Sequence, residues 1–278
     1  MAERGPWLHE RRWPEIRAYL ERDDVALLPV GSTEQHGRHL PVMTDAAEAI
    51  AVAVGAAARA GVLVAPPLWY GWTAHHMAYP GTLTLRAETL TAVVEDVCQS
   101  LLYQGFGRLI IINGHRVANL PPLEIAAVKV RNRTGGRILI YDLALSARRE
   151  LAALTSGEPG AVGHACEDET SQMLHSHGHL VAMAEAQRAV HPPEGKYALG
   201  AFASPDPTAA GLNAVWSGAT VEEFAGRTAA SGGVSGDPTR ASAEQGRRIL
   251  EAQVANVCEL IAHSRTLPVE RKAFPIPL

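Results

Sequence analysis

Short apolar runs that end on a glycine and a polar, chemically active residue, separated by long helix-forming stretches, leave this chain few folds to adopt. Val25–Val30 and Arg108–Asn113 are two such runs, six residues each and bounded by turn formers. They are too short for ordinary helices and read as strands buried within a sheet. Around them the pattern predicts helices over Trp13 to Leu20, Asp45 to Ala60, Ala87 to Gln104 and Leu120 to Arg133. Further strands are predicted over Val62 to Pro66 and Arg137 to Tyr141, with a last helix running to about His263. Strands alternating with helices imply right-handed parallel crossovers and an α/β domain. With 278 residues, 47% of them hydrophobic, the chain can bury a large core as one domain spanning 1–278. The stretch at about 192–238 is rich in Pro, Gly, Ala and Ser and too long for a simple connection, so it is read as a lid or an oligomer contact.

In open α/β sheets, ligands bind beyond the carboxyl ends of the strands. Val25–Val30 runs directly into Gly31-Ser-Thr-Glu34-Gln-His36-Gly-Arg-His39-Leu-Pro-Val-Met-Thr-Asp45. Glu34 and His36 are two apart, so an extended backbone points both to one side. Asp45 alone reads as a helix cap; beside Glu34 and His36 it reads as a third ligand. The second strand runs into Asn113-Gly-His115-Arg116, and the segment His164-Ala-Cys166-Glu167-Asp168-Glu169 adds a histidine and three carboxylates where a further helix begins. Acidic residues there also complement a helix dipole, which is the preferred reading of Asp168. Glu34, His36, Asp45, His115 and Glu167 together offer two imidazoles, three carboxylates and no thiolate. Such a set suits Zn, Mn or Fe. Five ligands exceed what one catalytic ion with an open position needs, and two ions sharing a carboxylate fit better. Two ions would activate a bridging water and polarise a carbonyl, which makes hydrolysis the natural chemistry.

These blocks resemble the signature segments of the creatininase (creatinine amidohydrolase) family, and the resemblance runs from about Val25 to His263. It implies a three-layer α/β/α sandwich with a mostly parallel central sheet and a binuclear metal centre holding two divalent ions per chain. It also implies a homo-oligomer, a hexamer or other multiple of dimers. The resemblance would place Glu34 and His115 on one ion, His36 and Glu167 on the other, and Asp45 between them. It makes His164 the acid/base that protonates a leaving nitrogen, with Glu169 as its catalytic partner rather than a ligand. The alternative for His164 is a histidine bonded behind Glu167 or Glu169. Creatininase itself takes a ligand from a glutamate two residues beyond the Asn-Gly-His histidine, where this chain has Val117. Creatinine is therefore not the expected substrate.

Arg116 also departs from the family's small residues at that position. An arginine beside a metal ligand would either hold an anionic substrate group or pair with Asp142 or Glu169. Trp72, His75, His76 and Tyr79 sit in an aromatic, Gly-containing loop that would line a substrate pocket, with simple loop packing as the alternative. Cys166 reads as a structural small residue. The expected reaction is hydrolysis of a C–N bond in a cyclic or linear amide, a lactam, hydantoin-like compound or formamide, by attack of a metal-bridging hydroxide. The resemblance leaves open peptide trimming during cofactor maturation and opening of an oxidised cyclic polyol, and a non-catalytic metal-binding scaffold is the rival class.

The net charge of -4 gives no electrostatic case for nucleic acid or anionic membrane. Three scattered cysteines make no disulfide framework, and no run approaches the ~18 apolar residues of a membrane span. The expected setting is the cytoplasm, with a small-molecule substrate, no nucleic-acid partner and no membrane.

Overall fold

The computed structural model describes residues 5–116, 118–155, 161–190, 197–199, 213–215 and 218–275. The helix α1 (Trp13–Leu20) leads into β1 (Val25–Val30), α2 (Thr44–Ala60), β2 (Leu63–Val64), α3 (Ala87–Gln104), β3 (Arg108–Asn113), α4 (Leu120–Thr134) and β4 (Arg137–Asp142). These strands form one parallel sheet in the order β2-β1-β3-β4. There follow α5 (Arg148–Leu154), α6 (Glu167–His177), a short parallel pair β5 (Tyr197–Leu199) and β6 (Asn213–Val215), α7 (Val221–Thr228) and α8 (Ala243–Thr266). Much of the stretch read as a lid or oligomer contact lies outside the described residues.

All six residues of β1 are buried, because both faces of the sheet are covered. Val25 and Leu27 of β1 and Ile110 and Ile112 of β3 point to one side, packing on Ala49, Val52 and Ala56 of α2 and on Ile249, Val257 and Ile261 of α8. Ala26, Leu28, Leu109 and Ile111 point to the other, against Leu90, Val94 and Cys98 of α3 and Leu123, Ala126 and Val130 of α4. The result is the three-layer α/β/α sandwich, with α2 and α8 on one face and α3 and α4 on the other.

The sheet corrects two expected boundaries. The strand expected over Val62 to Pro66 shrinks to Leu63–Val64. Ala65 still donates its N–H to the Leu27 carbonyl at 2.8 Å, but Pro66 and Pro67 have no N–H to continue, and neither has Pro29 opposite. Helix α2 begins one residue early, at Thr44, so Asp45 lies inside its first turn and does not cap it. Its carboxylate is free to face the sheet edge.

The ends of β1 and β3 meet the start of α2 at two glycines. A side-chain carbon on Gly31 would collide with the Ala46 backbone, and one on Gly114 with the Asp45 carbonyl. Gly114→Ala should therefore push the first turn of α2 away from the sheet and cost about 3 kcal/mol. Thermal unfolding would register this as a drop of several degrees. An unchanged melting temperature would mean the junction has slack that the packing does not show.

Candidate metal centre

Four segments converge beyond the carboxyl edge of the sheet. The turn after β1 brings Glu34 and His36, the first turn of α2 brings Asp45, the turn after β3 brings His115, and the start of α6 brings Glu169. All five side chains are buried. Asp45 sits between the two histidines, with Oδ2 2.8 Å from His115 Nδ1 and Oδ1 3.0 Å from His36 Nε2. Ser32 Oγ donates to Asp45 Oδ2 at 2.8 Å. Glu34 Oε2 lies 3.2 Å from His115 Nδ1 and accepts a hydrogen bond from Thr73 Oγ1.

Three overlapping triads have donor atoms close enough to share an ion: Glu34–Asp45–His115, His36–Asp45–Glu169 and Glu34–His36–His164. The first two share Asp45. His36 Nε2 is fully buried, faces Asp45 and makes no hydrogen bond. A buried nitrogen 3.0 Å from a carboxylate but out of line for a hydrogen bond to it is the arrangement a metal ion satisfies. The donor set of imidazole and carboxylate fits Zn, Mn or Fe.

Without cations, protons must balance the carboxylates. Burial would lower the His36 pKa, but Asp45, with Glu169 and Glu34, raises it to about 10. Burial likewise opposes, and Glu34 and Asp45 overcome, in His115, which rises to about 9. Burial lifts Glu34 to about 7, helped by Asp45 and opposed by His115. Asp45 is held well below the carboxylate range, against burial, by His36 and His115. Two imidazolium ions and one partly protonated carboxyl thus occupy the place where divalent cations would do the same electrostatic work.

Glu167 is corrected. Its Oε1 accepts from Gln245 Nε2 at 2.7 Å, and it belongs to none of the triads. Glu169, expected to stand behind the ligands, is the acid of α6 with an oxygen in reach of the His36 and Asp45 donor atoms. The cause is the entry into α6, where Ala165 is buried in the left-handed region at φ 54° and Cys166 is extended. Arg116, read as either a substrate anchor or the partner of a protein acid, is placed in the second way. It is 5% exposed and donates Nη1 to Asp168 Oδ2 at 2.6 Å, Nη2 to the Gly163 carbonyl at 3.3 Å, and pairs with Glu169. Asp168 is thus the buried counter-ion of Arg116 rather than a helix-dipole acid. Cys166 Sγ donates to Asp168 at 2.7 Å, and burial, with Asp168 and Glu169, pushes its pKa well up. It is a thiol held for structure.

His164 is held in a two-way backbone pairing with Ser235, at 2.7 and 2.9 Å. Its Nδ1 lies 3.6 Å from Glu34 Oε1 and its Nε2 2.7 Å from the Gln35 carbonyl. Burial, with His36, holds its pKa well below the imidazole range, so the ring stands neutral. Of the expected pocket residues, His76 is 3.3 Å from Glu34 Oε1, and His75 stacks near His115 with ring centroids 6.1 Å apart. The Trp72 ring instead packs into the α3/α4 layer, and only its carbonyl reaches the site, 3.2 Å from His115 Nε2. Tyr79 bonds Thr228 Oγ1 at 2.8 Å and ties the aromatic loop to α7.

Sequence reasoning missed four contributors. Gln35 Nε2 lies 2.8 Å from both His76 Nδ1 and His164 Nε2, and its place between two ligands was the available signal. Thr73 and Ser32 bond the carboxylates and had only their neighbourhood to mark them. Phe224 of α7 packs its ring against His76 at 4.3 Å and His164 at 5.8 Å; nothing in its local sequence marks it.

A family model described as "Creatininase: Creatinine amidohydrolase" matches residues 9–261. A mycofactocin precursor peptide peptidase of Mycobacterium ulcerans is 30% identical over 90% of this chain and 85% of its own. A creatinine amidohydrolase of Pseudomonas putida is 38% identical over 38% of this chain and 43% of its own. A 3-dehydro-scyllo-inosose hydrolase of Thermotoga maritima is 32% identical over 44% of this chain and 39% of its own. A crystal structure of creatinine amidohydrolase superimposes with a TM-score of 0.76 at 26% identity, over 96% of this chain and all of that one. A manganese creatininase and a Zn-Zn type mutant each match at 0.73 and 26% identity, over 94% and 98% of the two chains. Among the described residues, no helix is long and apolar enough to cross a membrane.

Proposed function

Since the chain belongs to the creatininase family, we propose that it is a metal-dependent hydrolase of an amide C–N bond, working with two divalent ions. The observation that carries this reading is the pair of triads that share Asp45, with the unbonded His36 Nε2 facing into one of them. Glu34, Asp45 and His115 would hold one ion, and His36, Asp45 and Glu169 the other. When bound, such ions activate water as a nucleophile and polarise a carbonyl.

The chain's own groups supply the proton handling. In the tautomer that donates Nε2–H to the Gln35 carbonyl, His164 presents an unprotonated Nδ1 beside Glu34. From there it can take a proton from the attacking water and deliver it to the leaving nitrogen. Thr73 and Ser32 donate hydroxyl hydrogen bonds to Glu34 and Asp45 and would hold those carboxylates in place for the ions. His75, His76 and Phe224 wall the site and limit water. Buried Arg116 is spent on Asp168 and Glu169, so the reading requires no anionic group on the substrate.

A second reading is favoured by the extent of similarity. The peptidase of Mycobacterium ulcerans matches along most of both chains, whereas the creatinine amidohydrolase of Pseudomonas putida matches in sequence over little more than a third of this one. Trimming of a short peptide is therefore placed beside hydrolysis of a cyclic or linear small amide. We read the protein as a cytoplasmic homo-oligomer of single-domain chains.

The test begins with metal content by elemental mass spectrometry on protein purified without chelator or affinity metal. Two ions per chain are expected, followed by turnover of at least one substrate among lactams, hydantoins, formamides, short peptides and an oxidised cyclic polyol. His164→Ala should keep both ions and lose roughly 100- to 10,000-fold in turnover. A fully loaded protein that turns over none of these would leave the non-catalytic scaffold as the better account.

A further inference from the structure

We propose that the buried guanidinium of Arg116 makes the two ion positions unequal, so that the His36–Asp45–Glu169 position is the weaker and fills second. The inference rests on the binuclear reading above and concerns a residue to which that reading gives no metal.

The two triads share Asp45 but differ in what surrounds their remaining ligands. The partners of Glu34, Asp45 and His115 are imidazoles, the Thr73 and Ser32 hydroxyls and the Trp72 carbonyl. No fixed cation is paired with them among the described residues. Glu169 is different. Its Oε1 pairs with Arg116 Nη2, and its Oε2 accepts the Cys166 backbone N–H at 3.3 Å. Any ion at the second position must share that carboxylate with a guanidinium that cannot lose its charge and, buried as it is, cannot move out to solvent.

Two forces act on that ion. The repulsion between a divalent cation and a neighbouring guanidinium is large where water does not screen it, and donation to Arg116 removes electron density that Glu169 would give the metal. Asp168 offsets part of this by holding Nη1 at 2.6 Å. The buried Glu48 carboxyl, whose Oε1 has no hydrogen-bond partner, stands in the electrostatic reach of Arg116 as well. Neither carboxylate belongs to a triad, so both act on the ion only through Arg116 and through space. Arg116 is thus a positioning residue that sets an affinity and touches no reacting atom.

The experiment is a calorimetric titration of chelator-treated protein with Mn²⁺, which reads stoichiometry and both dissociation constants without reference to activity. Wild type should bind one ion at least tenfold more tightly than the second. Arg116→Met should tighten the second ion by roughly tenfold or more and leave the first nearly unchanged, whereas Arg116→Lys, which keeps the charge, should preserve the gap. Arg116→Met strands the Asp168 carboxylate, so the same comparison is made on an Asp168→Asn background. There the single change Asp168→Asn should weaken the second ion, and adding Arg116→Met should restore it. Equal affinities in wild type, or an Arg116→Met protein whose second ion binds no tighter than wild type, would overturn the role of Arg116 while leaving two ions bound. One ion at saturation in wild type and every variant would overturn the binuclear reading itself, and this inference with it.

Discussion

Asp45→Ala is expected to strip both ions from the protein and to lower turnover roughly a thousandfold or more. The expectation follows from where the two carboxylate oxygens point. One lies 2.8 Å from His115 and the other 3.0 Å from His36, so each belongs to a different triad. No other side chain is shared between those two triads. The backbone around Asp45 is fixed by the Gly31 and Gly114 contacts with the first turn of α2. Asp45→Asn provides the graded control. It keeps the shape and one acceptor oxygen, and it should retain one ion more readily than two. Elemental analysis after gel filtration gives the answer directly. An Asp45→Ala protein that still holds one ion at wild-type affinity would show that the triads are independent sites and that the shared carboxylate is not a bridge.

Much of this centre is legible in sequence because strand ends deliver it. Asn113-Gly-His115 follows a six-residue apolar strand, and a parallel sheet places such an ending at the ligand edge whatever the details of packing. The same holds for Glu34 and His36, two apart after β1. What the chain does not reveal is rotation about a helix entry. Glu167 and Glu169 both lie in the first turn of α6, about 200° apart around its axis. Which of them faces Asp45 depends on the left-handed Ala165 and the extended Cys166 just before, and neither residue type announces such a conformation. Arg116 posed a similar problem. Its choice between a substrate anion and a protein acid is decided by Asp168 and Glu169, more than fifty residues on and visible only once α6 packs beside the β3 turn. Trp72 failed for a third reason. In an irregular loop no periodicity says which side a ring takes, and the apolar α3/α4 layer claimed it.

The metal-free protein should lose stability as pH rises from about 6.5 to 10, by an amount on the order of 5 kcal/mol. His36 and His115 carry folded pKa values of about 10 and about 9, above the ordinary imidazole value of 6.5. A group with a raised folded pKa binds more protons in the native state, so its contribution is complete below 6.5 and is lost as pH climbs through the folded value. Glu34, raised to about 7, acts in the same direction from 4.5 upward. His75, His76 and His164 are shifted downward and act oppositely, but only below 6.5. Stability of the metal-free form should therefore peak near pH 6.5. Adding Mn²⁺ should reverse the trend, because ligands must release their protons to bind and that release grows easier with pH. Thermal unfolding across this range, with and without the ion, reads both slopes, and His36→Gln should flatten the metal-free one. A metal-free protein whose melting temperature holds steady from pH 6.5 to 10 would mean that the imidazoles are neutral in the folded state. The carboxylates would then have to be neutralised by their own protons, and the cluster would lack the charge that draws divalent ions into it.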